Sequence, residues 1–144
     1  MSEPILPPRT RRSLPMALLR AREAVMEEFR PMLARIDMTE QQWRVVRVLA
    51  EAGALDASEV ALRASILAPS LTRIIRNLEE RKLIRRKKDN SDGRRVILEI
   101  APGGAALIKK AIPESAAAYE RLEARFGATH INTLLDLLDQ FTVK

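Results

Sequence analysis

The 144-residue chain contains no cysteine and a single histidine, His130. The absence of cysteine excludes disulfides, thiolate zinc sites, iron–sulfur clusters and sensing by thiol oxidation. One histidine is too few for a histidine-built metal site and disfavours a Ser-His-Asp triad, and the acidic residues form no convergent pair suited to catalysis. The sequence therefore predicts a protein that is not an enzyme and that needs neither a metal nor another cofactor.

Aromatic side chains are also scarce, with three phenylalanines, one tyrosine and one tryptophan. So few rings cannot supply a base-stacking platform, which disfavours RNA recognition. No uncharged apolar run approaches the roughly 18 residues that a bilayer span needs, and residues 1–12 hold prolines and arginines but no apolar signal region. We expect a cytoplasmic protein without a membrane partner, with a flexible arm at residues 1–12 and a single domain at residues 13–144.

Positive charge is present in excess, with 25 lysines and arginines against 19 aspartates and glutamates and a net charge of +6. Residues 63–95 hold eleven cationic residues and four carboxylates, a surplus of seven that accounts for more than the whole net charge. A focused basic segment suits a polyphosphate partner, because each neutralised phosphate releases a counterion. The alternative is a solvated arginine-rich surface, and the local structure has to decide between the two.

The N-terminal third predicts two helices. Ser13 precedes apolar residues spaced by three and four, which favours a long helix over residues 13–36 that Pro31 perturbs near its end. Thr39 and Gln42 have the spacing of a capping box, and Gly53 is a typical helix end. The inner face of this second helix is predicted to consist of Trp43, Val46, Leu49 and Ala50.

Two shorter helices are predicted over residues 57–64 and from about Pro69 to Lys82. The hydrophobic period then falls to two, and residues 83–88 and 94–100 predict a β-hairpin whose strands flank a polar turn. From Pro102 the pattern is helical again, with a kink expected at Pro113 and a last helix capped by Thr129 after Gly127. The residues that the helix at 69–82 is expected to bury are Leu71, Ile74, Ile75 and Leu78, and one face of the second strand is expected to hold Val96, Leu98 and Ile100.

Two short helices followed at once by a charged hairpin are typical of a winged helix-turn-helix, here at residues 39–100 with the wing at about 83–100. In that arrangement the second helix of the pair enters the major groove, where arginine binds guanine and asparagine binds adenine, while hydroxyl groups bind phosphate. Asp92 lies two residues before Arg94 and can hold its guanidinium for a narrow minor groove, although Asp92-Gly93 is also ordinary turn chemistry. The predicted DNA-binding residues are Pro69, Ser70, Thr72, Arg73, Arg76 and Asn77 on the helix, and Lys87, Lys88, Asp92, Arg94 and Arg95 in the wing.

The alternative for the two helix arginines is pairing along their own helix. Arg73 and Arg76 have Glu79 and Glu80 within one or two turns, so their charge could be neutralised locally. The adjacent charged hairpin favours the DNA-binding interpretation. The fold class predicted is mainly α with a small β-hairpin wing, a winged helix-turn-helix between N- and C-terminal dimerisation helices at residues 13–36 and 102–144.

Three stretches resemble the MarR family of transcription regulators: Thr-Glu-Gln-Gln-Trp-Arg-Val at 39–45, Pro-Ser-Leu-Thr-Arg at 69–73, and Asp-Gly-Arg at 92–94 before a strand. The resemblance spans nearly the whole chain from Ser13. Residues 21–24, 29–31 and 41–44 are similar to the subgroup that represses operons for the breakdown of homoprotocatechuate and related aromatic acids. One departure is Ile100-Ala101, where the family often has Leu-Thr, so the usual threonine cap of the next helix is missing.

The resemblance implies a repressor that binds a double-stranded, pseudo-palindromic operator as a homodimer and is associated with the nucleoid. The apolar stripes of the terminal helices also favour a two-fold dimer, because a small winged domain cannot bury them alone. In the family a small molecule between the dimerisation helices and the winged domain relieves repression. The candidate effector-binding residues for an aromatic acid are Arg22, Met26, Phe29, Trp43 and Arg47.

These effector candidates have structural alternatives. Arg22 could equally pair with a carboxylate of the partner subunit, Met26 could fill a gap, and Phe29 and Trp43 are residue types that more often belong to a core. Two other functions also remain open from the sequence. One is a non-specific architectural DNA- or RNA-binding protein, and the other is a MarR-type regulator of a drug or stress response.

Overall fold

The computed structural model describes residue 9, residues 12–88 and residues 95–142, apart from the side chain of Lys88. The predicted arm at residues 1–12 therefore falls almost wholly outside the described residues, and the predicted hairpin turn at 89–93 falls wholly outside them. The elements formed by the described residues are α1 (Leu14–Glu27), α2 (Arg30–Arg35), α3 (Glu40–Ala52), β1 (Ala54–Asp56), α4 (Ala57–Ala64), α5 (Ala68–Glu80), β2 (Ile84–Lys88), β3 (Val96–Ile100), α6 (Pro102–Phe126) and α7 (Ala128–Thr142).

The chain divides into two compact units. One comprises Met1–Pro31 together with Ala116–Lys144, and the other comprises Met32–Ser115. The second unit holds α3, α4, α5 and the three strands, in the order of a winged helix-turn-helix. Helices α2 and α6 each contain a boundary between the units, so the chain passes from one unit to the other inside a helix.

The three strands form an antiparallel sheet in the order β1-β3-β2. In the hairpin, Ile84 is opposite Ile100 and Lys87 is opposite Ile97, while β1 pairs Leu55 with Leu98 of β3. Leu98 is fully buried, whereas Val96 is exposed at the outer end of its strand. The sequence did not predict β1, because three residues are too few to show a period of two.

The helices of the winged unit pack around one apolar core. The four predicted core residues of α5, Leu71, Ile74, Ile75 and Leu78, are all buried, which confirms the amphipathic pattern. The prediction for α3 was partly wrong, because Ala50 is exposed and Trp43 is only half-buried. The fully buried residues of α3 are Val45, Val46 and Leu49.

The predicted helix at 13–36 is interrupted rather than continuous. Helix α1 ends at Glu27 and α2 begins at Arg30, so Pro31 lies in the first turn of a new helix, where its missing N–H removes no helical hydrogen bond. Ser13 occupies the N-cap position, but its side chain makes no capping hydrogen bond. The capping box of α3 is confirmed in full, since Gln42 N donates to Thr39 Oγ1 at 3.1 Å and Thr39 N donates to Gln42 Oε1 at 2.9 Å.

At the C-terminal end, α6 runs as one helix of 25 residues with Pro113 inside it. Gly127 then adopts a φ of 89°, and α7 begins at Ala128. The predicted Thr129 cap is therefore wrong, because Thr129 lies inside the first turn of α7. Among the described helices none is long and apolar enough to cross a membrane.

Three helix ends use a left-handed residue other than glycine: Asp37, Ser65 and Lys82, with φ values of 52°, 54° and 61°. After α5, Leu83 N donates to Leu78 O at 2.9 Å and Lys82 N donates to Glu79 O at 2.9 Å. These two bonds form a Schellman motif, which satisfies carbonyls left open at the end of the helix. The chain thus reverses sharply after α5 and enters the wing at once.

The start of α6 packs against this reversal. A Cβ on Gly103 would lie 2.7 Å from Lys82 O, and one on Gly104 would collide with Leu83 O and with Ile100 Cγ1 at 2.8 Å. Only glycine allows so close an approach of two backbones. The end of α5 is therefore braced by the first turn of α6.

Candidate nucleic-acid interface

The outer face of α5 is polar and open to solvent. Opposite its four buried apolar residues, the side chains of Pro69, Thr72, Arg73, Arg76 and Asn77 are exposed, and Ser70 is half-buried. Pro69 lies in the first turn of α5, and the hydroxyl residues Ser70 and Thr72 follow it. The structure thus brings together on one face all six residues that the sequence predicted for the helix.

The two arginines of this face have no carboxylate partner among the residues that the structure describes. Across the described residues neither Arg73 nor Arg76 forms an ion pair. The carboxylate of Glu79, which could have paired with Arg76, accepts instead from Arg86 Nε of β2 at 2.9 Å. The structure therefore favours the DNA-binding interpretation of these arginines over local pairing on the helix.

Two other polar residues of α5 already have partners. Asn77 Oδ1 accepts from Gln42 Nε2 at 2.9 Å, and Thr72 Oγ1 donates to Ala68 O at 3.3 Å within the helix. Each oxygen retains a lone pair, and the Asn77 amide retains its donors, so both residues can still contact DNA. Gln42 links the start of α3 to α5, a role that the sequence did not reveal because the two residues are 35 positions apart.

Two of the predicted wing cations lie on β2. Lys87 lies on β2 and is exposed, and Lys88, whose side chain lies outside the described part, ends the same strand. Asp92 and Arg94 lie outside the described residues, so their predicted interaction stays a prediction. Arg95 is exposed just before β3, at the end of the hairpin next to the turn, since Val96 pairs with Lys88.

Arg95 is tied to the helix-turn-helix through Asp56. Its Nη2 donates to Asp56 Oδ2 at 2.8 Å, while Asp56 Oδ1 accepts from Glu59 N at 2.8 Å as the N-cap of α4. The backbone N–H of Glu59, followed by the Arg95 guanidinium, lowers the pKa of Asp56 below its ordinary value. One carboxylate therefore caps α4 and anchors the start of β3.

Asp56 was missed as a functional residue, although a signal for it exists. Asp56 and Glu59 have the spacing of an N-cap and an acidic N3 residue, which marks the start of α4. Its bond to Arg95 spans 39 positions and has no local pattern in the sequence.

Several other cations of the basic segment are also engaged within the protein. Arg63 pairs with Glu59 at 2.8 Å and Arg85 pairs with Glu99 at 2.7 Å. Arg81 donates to backbone carbonyls between α2 and α3. In the parts of the chain that are described, the cations of this segment without an ion pair or a hydrogen bond are Arg73, Arg76, Lys82 and Lys87.

The candidate effector residues are distributed over both units. Arg22, Met26 and Phe29 belong to the first unit, where Arg22 is exposed and the other two are half-buried. The Phe29 ring meets Tyr119 edge to face, with ring centroids 5.0 Å apart. Trp43 and Arg47 belong to α3 of the second unit, where Trp43 is half-buried and Arg47 exposed. Their role in effector binding stays a prediction.

Comparison with known proteins identifies the family to which this fold belongs. A family model described as the MarR family matches residues 38–96, from the start of the helix-turn-helix into β3. The homoprotocatechuate degradative operon repressor of Escherichia coli is 43% identical over 129 residues, which are 90% of this chain and 87% of that protein. The chain belongs to the MarR family. Membership confirms the family resemblance, the winged fold and the predicted class of DNA-binding transcription regulator.

Solved structures of MarR-type regulators share the fold over almost the full length. NadR in complex with 4-hydroxyphenylacetate is 38% identical, with a TM-score of 0.82 over 96% of this chain and 97% of NadR. The repressor CouR bound to a 23-mer DNA duplex is 27% identical, with a TM-score of 0.85 over 98% of this chain and 100% of CouR. These two structures hold an aromatic acid and a DNA duplex, the two kinds of ligand that the MarR resemblance implied.

Proposed function

We propose that the chain is the repressor of an aromatic-acid catabolic operon, which binds a pseudo-palindromic operator as a homodimer and leaves it when a small aromatic carboxylate binds. The observation that carries the proposal is the open face of α5, where Arg73 and Arg76 are exposed and have no ion pair in the described part of the chain. The similar repressor of a homoprotocatechuate operon and the complex of NadR with 4-hydroxyphenylacetate support the choice of effector.

In this proposal α5 enters the major groove and the wing follows the DNA beyond it. Arg73 and Arg76 bind base edges, with Asn77 beside them, because two donors of a guanidinium match the acceptors of guanine. Ser70 donates to a phosphate near Pro69, and Thr72 does the same by turning its single hydroxyl hydrogen away from Ala68 O. The wing places its cations in the minor groove. The wing residues proposed for this role are Lys87, Lys88, Asp92, Arg94 and Arg95.

The proposed dimer covers apolar side chains that are exposed on the helices of the first unit. They belong to α1, α6 and α7 and include Leu19, Tyr119, Leu134 and Leu135. Large exposed apolar patches are rare on monomers and mark interaction surfaces. A two-fold dimer would present two copies of α5 about 10 base pairs apart, which predicts the spacing of the operator half-sites.

The proposed effector site combines a cation with apolar residues, the chemistry that an aromatic carboxylate requires. Arg22 and Arg47 are the candidate partners of the carboxylate, and Met26, Phe29 and Trp43 are the candidate contacts of the ring. A repressor of this kind acts on chromosomal DNA, so the proposal includes a cytoplasmic location and association with the nucleoid.

The test is titration of operator and unrelated duplexes at one fixed salt concentration, followed by fluorescence anisotropy. A repressor binds its palindrome at least about a thousandfold more tightly than random DNA. Equal binding of both duplexes would instead support a non-specific architectural protein and would overturn the proposal.

Variants at the helix face refine the same test. Arg73→Ala and Arg76→Ala should each weaken operator binding by about 1–3 kcal/mol and relax the preference at one base position. Lys110→Ala is the matched control, because it removes the same charge from an exposed position on α6. Release of the operator by 4-hydroxyphenylacetate supports the proposed effector class, and release only by an unrelated drug would favour a drug-response regulator.

A further inference from the structure

Arg81 joins the end of α5 to the end of α2. It is the C-cap residue of α5, and its guanidinium contacts the loop between α2 and α3. Nη1 donates to Asp37 O at 2.8 Å and approaches Met38 Sδ at 3.2 Å, while Nη2 donates to Ile36 O at 3.3 Å. One rigid guanidinium therefore holds two successive backbone carbonyls at the point where α2 ends.

A second bond fastens the same helix to the same segment. Asn77 lies one turn before Arg81, on the same side of α5, and accepts from Gln42. The Gln42 side chain is itself fixed by the capping box with Thr39. Helix α5 is thus bound at two points to residues 36–42, which we term the α2–α3 junction.

The junction is well placed to move as one piece. Met38 N donates to Leu33 O at 3.0 Å, and Asp37 adopts the left-handed conformation that closes α2. Leu33 and Met38 are buried, so the end of α2 is packed as well as hydrogen-bonded. A displacement of α2 is therefore passed on to α5 instead of being absorbed in a loose loop.

Helix α2 also connects the two units along the chain. Its first two residues belong to the unit that contains α1, and the rest belong to the winged unit. The effector candidates Arg22, Met26 and Phe29 immediately precede α2 in the sequence. A displacement of those residues can therefore reach α5 along α2 and then through the hydrogen bonds that Arg81 and Asn77 make with the α2–α3 junction.

We propose that Arg81, assisted by Asn77, is a positioning residue that couples the α2–α3 junction to the recognition helix, so that the effector changes the pose of α5 in the major groove. This inference rests on the proposed function, because it requires an operator and an effector. Arg81 itself does not bind either ligand in this scheme. Its removal should reduce the coupling between the two ligands more than the affinity for either one.

The test compares the operator affinity with and without 4-hydroxyphenylacetate for the wild type and for Arg81→Lys. The coupling ratio is the operator affinity without the effector divided by the affinity with it. For the wild type we expect this ratio to lie in the common allosteric range of about 5 to 150. Lysine keeps the charge but cannot hold two carbonyls as a planar fork, so the ratio should fall toward one. Operator binding without effector, and effector binding measured by calorimetry, should both persist.

A matched control separates coupling from affinity. Lys87→Ala removes a wing charge, so it should weaken operator binding equally with and without the effector and leave the ratio unchanged. Asn77→Ala breaks the second bond and should lower the ratio in the same direction as Arg81→Lys. A wild-type ratio in both Arg81→Lys and Asn77→Ala would overturn the inference and leave the proposed function standing.

The sole tryptophan supplies an independent readout. Trp43 directly follows Gln42, and its emission reports on the α2–α3 junction. Addition of the operator should change the Trp43 emission in the wild type, and this response should be much smaller in Arg81→Lys at saturating operator. An unchanged response in the variant would contradict the coupling. Failure of the wild type to prefer the operator would remove the proposed function and this inference together.

Discussion

At the scale of single residues, the sharp turns of the winged unit depend on Asp37, Ser65 and Lys82, three residues that adopt a positive φ without being glycine. The left-handed conformation costs an L-residue about 1–2 kcal/mol relative to the right-handed one. The strain persists because each turn is enforced by the packing of the elements on both sides, two helices at Asp37 and Ser65 and α5 with β2 at Lys82. Ser65 is the clearest example, since it is exposed and lies between the two helices of the helix-turn-helix.

Ser65→Gly should therefore stabilise the protein. Glycine adopts the left-handed conformation freely, and this gain exceeds the extra entropy of the unfolded chain, so we expect Tm to rise by about 2–4 °C. The matched control is Ser58→Gly, an exposed serine inside α4, which should lower Tm because glycine weakens a helix. Thermal unfolding followed by circular dichroism measures both, and a fall in Tm for Ser65→Gly would refute the assignment of strain.

Arg22 provides the residue-scale test of the effector site. Arg22→Ala should weaken the binding of 4-hydroxyphenylacetate and homoprotocatechuate by at least about tenfold, since a charge-assisted hydrogen bond contributes roughly 1.5–3 kcal/mol. Arg20→Ala is the control, because Arg20 is also an exposed arginine of α1 that has an interaction partner. Calorimetry on both variants decides the point. Equal loss in both would show that the charge of α1, and not the Arg22 side chain, matters.

At the scale of elements, the first turn of α6 packs closely against the backbone of Lys82 and Leu83, the residues that follow α5. If only helix propensity mattered, Gly104→Ala would raise the free energy of unfolding by about 1 kcal/mol. The added Cβ would collide with Leu83 O, so we expect a net loss of about 1–3 kcal/mol. Urea unfolding measures the difference. Ala106→Gly, at an exposed position of α6, is the control. It should lower the free energy of unfolding by about 1 kcal/mol, which measures the contribution of helix propensity alone.

The anchor between the wing and α4 gives a pH-dependent prediction. The pKa of Asp56 is lowered in the folded state, so its ionised form stabilises the fold above the unfolded pKa of about 3.9, and this contribution disappears as the pH falls through the lower folded value. Asp56→Asn should unfold at a lower urea concentration than the wild type near neutral pH. The two midpoints should converge in acid. Asp136→Asn, on the exposed face of α7, should show no such difference.

Local patterns predicted the elements well and their connections poorly. The buried face of α5, the capping box of Thr39 and the β-hairpin are written in residues close together in the sequence, and all three are confirmed. The partners of Asn77, Arg81 and Arg95 lie 35 or more positions away. No periodicity marks such pairs, so they became visible only when the fold brought them together.

At the scale of the whole molecule, the basic segment is less available than its formal charge suggests. Arg85, Arg86 and Arg95 each have a carboxylate partner, and Arg81 is committed to backbone carbonyls. The salt dependence of operator binding counts the phosphates that are contacted rather than the total charge. The dependence should therefore be shallower than eleven cations per protomer would give.

Two variants of the same strand test this distinction. Lys87→Ala should reduce the slope of log affinity against log salt by about one unit per protomer, because an unpaired cation is lost. Arg85→Ala should leave the slope nearly unchanged, because Arg85 is held by Glu99. Anisotropy titrations over a range of salt concentrations measure both slopes. Equal reductions would mean that the segment acts through its summed charge alone.

The position of β2 in the sheet has a consequence for solubility. In the order β1-β3-β2, β2 is an edge strand of the described sheet. The backbone N–H and C=O groups on its outer side therefore have no neighbouring strand to pair with. Such edges recruit other strands and start aggregation unless charges keep them apart. Residues 85–88 are four consecutive cations. Glu99 and Glu79 hold Arg85 and Arg86, so the protection of this edge by repulsion between molecules depends mainly on Lys87 and Lys88. Variants that neutralise several of the residues 85–88 should therefore aggregate more readily and bind DNA more weakly. High salt screens the same charges, so it should also promote aggregation of the native protein.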